Sequence, residues 1–277
     1  RAARGRRIEL GKWRWVARSL TFGYVFFALL APLYGLLITT LNGFWSPKTR
    51  WGELTLDHFR TVLWFDQKTR DSLFNSVYLG LIGATIGMLI AATISSYVQR
   101  KPGKVSTVID GIAKLPAAVS GLIIAVGFIL AFAGPPFGLH GTMLILLLAF
   151  IATHMPSGSI AADGAASQVG HSLLEASYVS GASESRTFWR ISVPLMLPGL
   201  VAGWSLLFVR YAGDFQASAI LSSTRNQTAG KKIIEIYEMG SYAYLAALAL
   251  GLTVITTLII GIVFALTRKR AAVSVAA

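Results

Sequence analysis

The side chains able to do chemistry are few and scattered. Across 277 residues there is no cysteine, which removes thiolate metal sites, CxxC redox chemistry and cysteine nucleophiles. The four histidines, His58, His140, His154 and His171, share no metal-ligand spacing, so no bound metal is expected. No GxxxxGKS/T run is present to cradle nucleotide phosphates, and the chain is expected to bind no cofactor itself. No grouping of His, Asp, Glu and Ser reads as a nucleophile with its base. Two places remain. One is a polar stretch around Glu175; the other is Arg210, Asp214 and Gln216, set in an otherwise apolar run.

The elements that must position these residues are membrane helices. Hydrophobic residues make up 54% of the chain and charged ones 13%, about half the charged share of an average soluble domain. Runs without Asp, Glu, Lys or Arg cover residues 19–47, 72–99, 115–162, 191–209 and 239–267, each near or above the ~20 residues that cross ~30 Å of hydrocarbon. The 115–162 run would be about 70 Å long as one helix, so it must fold back. Gly134-Pro135-Pro136-Phe137-Gly138-Leu139-His140-Gly141, with two prolines and three glycines, marks the turn. The pattern predicts an all-α polytopic protein with six spans near 20–41, 73–98, 116–133, 141–157, 196–220 and 244–267.

The net charge of +13 is spread over short segments between spans, which suits an anionic membrane surface and not a nucleic acid. With six spans both termini share a side. Sixteen Lys and Arg then fall on that side, eight on the other, and Arg210 lies within a span. The bias predicts both termini in the cytoplasm. Trp13 and Trp15, and Tyr242 and Tyr244, fit interfacial anchors or ordinary packing equally well. Residues 1–19 read as a basic cytoplasmic linker or N-terminus, 20–267 as the six-helix unit and 268–277 as a cytoplasmic tail. The basic, tryptophan-bearing segment at 6–15 would suit a linker from a preceding membrane half, and no internal repeat supplies that half within these residues.

The predicted cytoplasmic loop 158–195 is far longer than a helix connection needs. Its centre runs from Ser172 to Pro194, with Leu174, Tyr178, Gly181 and Phe188 at helical spacing. This predicts a short amphipathic helix, a glycine break and a second short helix, a docking platform. Ser172 and Glu175 also have the spacing of a capping box, and Gly181 that of a simple helix stop.

Here the chain resembles the membrane subunits of binding-protein-dependent ABC importers, the MetI-like permeases. Their signature is E-A-A, three residues, G, nine residues, I, one residue, L-P. This chain has Glu175-Ala176-Ser177, Gly181, Ile191 and Val193-Pro194 at the same spacing, with Ser177 for alanine and Val193 for leucine. Leu56-Asp57-His58-Phe59, Asn75-Ser76 and the basic linker further resemble the C-terminal half of fused iron(III)-type permeases. The resemblance implies that Glu175, Ala176, Ser177, Gly181, Ile191 and Pro194 dock on a cytoplasmic ABC ATPase dimer, whose subunits hold ATP and Mg. It also implies a periplasmic substrate-binding protein, a second six-helix half fused upstream or separate, and a bacterial inner membrane. The cargo stays open among iron(III), polyamines, phosphonates and sulfate-type anions.

Arg210 and Asp214 are one helical turn apart, within reach of an ion pair. About 21 Å of helix from Met196 places them in the outer third of the bilayer. Either the pair neutralises itself and snorkels outward, or with Gln216 it faces the translocation path. A secondary transporter or a membrane enzyme are the rival classes; neither needs an ATPase partner.

Overall fold

The computed structural model describes residues 11, 13–43 and 49–276. Residues 1–10 and 12 of the expected linker lie outside them, and the rest of that segment is helical from Trp13. Helix α1 (Trp13–Leu41) contains a π-helical turn at Phe26–Leu30. A short helix α2 (Asp57–Arg60) precedes α3 (Gln67–Arg100), followed by α4 (Lys104–Lys114), α5 (Gly121–Phe132) and α6 (Met143–Ala166). Then come α7 (His171–Val179), α8 (Glu184–Thr187), α9 (Val193–Ala212), α10 (Gln216–Leu221), α11 (Ala229–Glu238) and α12 (Tyr242–Ala276). No strand occurs among the described residues; one isolated bridge joins Asn42 and Leu54.

Five helices are long and apolar enough to cross a bilayer, and one bent pair is a candidate for a sixth. That pair replaces the straight third span expected at 116–133. Its second half, α5, has 12 residues, about 18 Å at 1.5 Å per residue. It meets the preceding helix at 107°. The break follows from Pro116 in a single 3-10 turn and from Ser120, extended at ψ 136. The Gly134–Gly141 turn is present, with Gly138 and Gly141 at positive φ.

The core is built from α3, α6 and α9. Leu79, Met88, Leu146, Phe150, Leu207 and Tyr211 are buried there, and backbone approach is close because glycines line α3. A side-chain carbon at Gly83 would lie 2.6 Å from the Tyr211 ring, and one at Gly87 2.6 Å from its hydroxyl. Small residues give the close helix packing that lipid cannot drive by a hydrophobic effect. By contrast α1 buries nothing along Trp13–Val25; its second part packs against α12.

Helix α6 runs through a buried Pro156 to Ala166, past the expected end at 157. The long loop therefore starts at 167 and not at 158. The extra turns carry Gly158, Ser159 and Ala162, which are buried, and Asp163, which Lys114 pairs at 2.8 Å. The expected fifth span at 196–220 lies within one candidate span, Phe188–Leu221, whose helix is interrupted at residues 213–215 between α9 and α10.

Candidate functional site

The 167–192 segment forms the expected two-helix hairpin. Helix α7 starts after Gly170, which makes no side-chain cap, so the Ser172–Glu175 capping box is not formed and Ser172 lies within the helix. The helix ends on Gly181 at φ +78. Gly181 N–H donates to Tyr178 O and Ala182 N–H to Ser177 O, the paired closure that glycine in the left-handed region permits. The chain then turns into α8 and a π-helical turn, Phe188–Ser192. Helix runs without a break from α8 through this turn into α9, so Pro194 and Pro198 both stand inside one continuous helical run.

The signature residues divide by face. Glu175, Ala176, Gly181 and Pro194 are exposed, Ile191 is half-buried and Ser177 is buried. Ser177, the departure from alanine, shares a hydrogen bond of 2.7 Å with the buried Thr187 hydroxyl and so ties α7 to α8. The Arg100 guanidinium lies 4.5 Å from the Phe188 ring centroid, seating the hairpin on the end of α3. A cavity of about 260 Å³ separates α7 from the bundle, with Ser96, Arg100, Glu175 and Tyr178 in its lining. The Ser177–Thr187 bond was not foreseen; a polar departure from a small signature residue was its one signal.

Asp214 does not pair with Arg210. Its Oδ2 lies 3.0 Å from His154 Nε2 on α6, and its Oδ1 accepts from the backbone N–H groups of Ala217 at 2.9 Å and Ser218 at 3.2 Å. The break after α9 explains the change: once the helix stops, the carboxylate turns to the free amides of α10. Arg210 is exposed and forms no ion pair among the described residues. Gln216 is exposed too, with its amide oxygen so close to the Gly121 backbone that a side chain there would collide with it. The His154 ring lies beside that of Tyr211, tilted 39° to it with centroids 5.4 Å apart. The structure thus brings Asp214 and the unforeseen His154 together and leaves Arg210 separate.

Tyr211 rests on Gly83, halfway along α3, and His154 is halfway along α6. Met196 packs with Ala165 and Ala166 at the end of α6. The Asp214–His154 contact therefore sits midway along the α3 and α6 helices.

At the opposite end, Asn75 Nδ2 donates to Gln227 O at 2.9 Å and the Ser76 hydroxyl accepts from Ala229 N–H at 2.8 Å. The Asn75-Ser76 pair thus pins the 227–229 strap to α3. Asp66 caps α3 and accepts from the Thr69 and Tyr244 hydroxyls at 2.6 and 2.7 Å. Burial alone would push the Asp66 carboxyl up. The bonds from Thr69 and Tyr244, with the nearby Lys232 ammonium, outweigh it and hold the group below its ordinary value.

Residues 77–271 match the family described as binding-protein-dependent transport system inner membrane component. The chain belongs to that family. As a member of it, with several long apolar helices, the chain is a multi-pass membrane protein. Relatives of this permease include a ferric transport system permease protein of Actinobacillus pleuropneumoniae, 29% identical over 77% of this chain and 32% of the relative. A molybdenum transport system permease protein of Mycobacterium tuberculosis is 28% identical over 87% of this chain and 89% of the relative. The chain thus spans about a third of the ferric relative's length and most of the molybdenum relative's. In fold it is similar to a chain of a bacterial ABC transporter involved in import of the acidic polysaccharide alginate. That match has a TM-score of 0.69 at 19% identity, covering 93% of this chain and 96% of the other. A MetNI methionine ABC transporter chain in an inward-facing conformation matches at a TM-score of 0.62 and 16% identity, over 72% of this chain and 94% of that one.

Proposed function

We propose that the chain is the membrane permease, or one half of it, in an ATP-driven importer fed by a periplasmic binding protein. It lies in a bacterial inner membrane with both termini cytoplasmic. The observation that carries this reading is the α7–α8 hairpin, which leaves Ala176 exposed at one end of the bundle and Glu175 exposed at the rim of the cavity beneath α7, while Ser177 and Phe188 hold it in place. A rigid, exposed, short helix is what a separate ATPase needs in order to pass a domain movement into the membrane. ATP and Mg belong to that ATPase, and a second six-helix half closes the path. Copurification tests the reading: the tagged permease is expected to retain a P-loop ATPase chain, and transport that proceeds without any such chain would contradict it.

Arg210, Asp214 and Gln216 line or border the translocation path. Asp214, fixed by His154, sets the angle between α9 and α10, while Arg210 and Gln216 are open to the cargo. Iron(III) is one cargo that fits, by likeness to the ferric permease. An oxyanion is the other: Arg210 is exposed without an ion pair among the described residues, and an uncompensated guanidinium at membrane depth calls for an anion or water. Relatives named for molybdenum, sulfate and 2-aminoethylphosphonate transport accord with that second reading. The ligand retained by the cognate binding protein on purification separates the two.

A further inference from the structure

Helix α4 carries a surface that the bundle does not use. Val105, Val108, Ile112 and Leu115 recur at spacings of three and four, so they form one stripe. Each is between 59% and 65% exposed. The other face is the seated one: Ser106 and Ala113 are buried, and Lys114 bridges Asp110 at 2.6 Å and Asp163 at 2.8 Å.

Position and direction narrow what the stripe meets. Helix α4 follows the last residue of α3 after a three-residue turn, and Lys114 holds it to Asp163, one turn short of the end of α6. It therefore lies at the same end of the bundle as α7. The 107° bend sets the α4 segment across the direction of α5, which contacts α6 and α10. A transverse helix at the end of a membrane bundle runs in the plane of the bilayer surface. Beside its start stand Lys101 and Lys104, both exposed and neither in an ion pair among the described residues.

We infer that α4 is an in-plane membrane anchor, its Val105–Leu115 stripe sunk at the acyl boundary of the cytoplasmic leaflet and Lys101 and Lys104 set against anionic phospholipid headgroups. The assignment of leaflet rests on the orientation proposed above. The free lysines favour lipid over a second permease half as the occupant, because an apolar stripe flanked by unpaired cations matches the two layers of an anionic leaflet. Since Lys114 and Asp163 join this anchor to α6, the lipid contact is mechanically continuous with the end that carries the docking hairpin.

The natural absence of cysteine allows a direct test. Single Val108→Cys and Ile112→Cys variants of the full chain are spin-labelled in vesicles of phosphatidylethanolamine and phosphatidylglycerol, alone and assembled with the other transporter subunits. Leu258→Cys on α12 serves as the hydrocarbon reference and Arg225→Cys as the aqueous one. Both α4 labels are expected to collide with oxygen several-fold more than with a nickel chelate, approaching the Leu258 reference, in both preparations. A nickel preference would overturn the inference, as would labels shielded from both reagents only in the assembly, which would give the stripe to a second permease half. Omitting phosphatidylglycerol is expected to make the labels shallower, an effect absent from a Lys101→Gln/Lys104→Gln background; depth indifferent to lipid charge would remove the headgroup contact. None of these readouts requires an ATPase contact at α7, so failure here and failure of the docking assignment are separable.

Discussion

The α7–α8 hairpin and the Asp214 crossing are built on opposite terms. The hairpin leaves Glu175, Ala176 and Gly181 in solvent and is tied down by one hydroxyl pair and one guanidinium over a ring. At the crossing a buried carboxylate satisfies a histidine on α6 and two amides of α10 at once. The first, which the proposed reading gives to a partner ATPase, is expected to lose little stability when a surface residue changes. The second ties the interruption between α9 and α10 to α6 from within, so each of its partners depends on the others. The proposed docking surface is therefore expected to be cheap to alter and the buried joint costly.

Four substitutions sharpen that contrast. Asp214→Ala strands His154 and two N–H groups of α10 and is expected to cost about 3 kcal/mol or more in thermal unfolding of the detergent-solubilised chain, with transport lost as well. Next comes Gly181→Val: a β-branched residue at φ +78 is strained by about 1–2 kcal/mol. The strain is expected to loosen the hairpin and weaken ATPase retention without shifting the unfolding of the core. Ser177→Ala restores the signature alanine but removes the tie to Thr187; about 1 kcal/mol is expected, seen as faster hydrogen exchange confined to 171–187. Smallest in stability is Arg210→Ala, expected within about 0.5 kcal/mol of the parent yet defective in substrate-stimulated ATP hydrolysis. Equal stability losses for Asp214→Ala and Arg210→Ala would erase the distinction between joint and path.

Much of this architecture was legible in the sequence because lipid imposes simple rules. Uncharged runs located the long helices, the Gly134–Gly141 stretch located a turn, and the spacing from Glu175 to Pro194 located the hairpin with its glycine break. The misreadings share one cause: charge and hydropathy along a chain do not say where a helix stops inside a membrane. Pro116 and Ser120 shorten α5, Gly213 ends α9, and α6 runs on through the buried Pro156. A straight fifth span aims Asp214 at Arg210; a broken one aims it at His154, from 60 residues upstream in the sequence. The signal was there in part, since an imidazole within a long uncharged run needs a partner.

The central claim, that α7 is the surface on which an ATPase seats, is tested most directly by placing a photo-crosslinker at that surface. A maleimide–benzophenone label on an Ala176→Cys variant, irradiated in membranes containing the assembled transporter, is expected to yield one adduct whose partner is a P-loop ATPase by mass spectrometry. Labels on Leu258→Cys and Arg225→Cys variants are expected to yield no such adduct. Capture of the ATPase from Arg225 instead of Ala176, or from neither in membranes that still transport, would contradict the account.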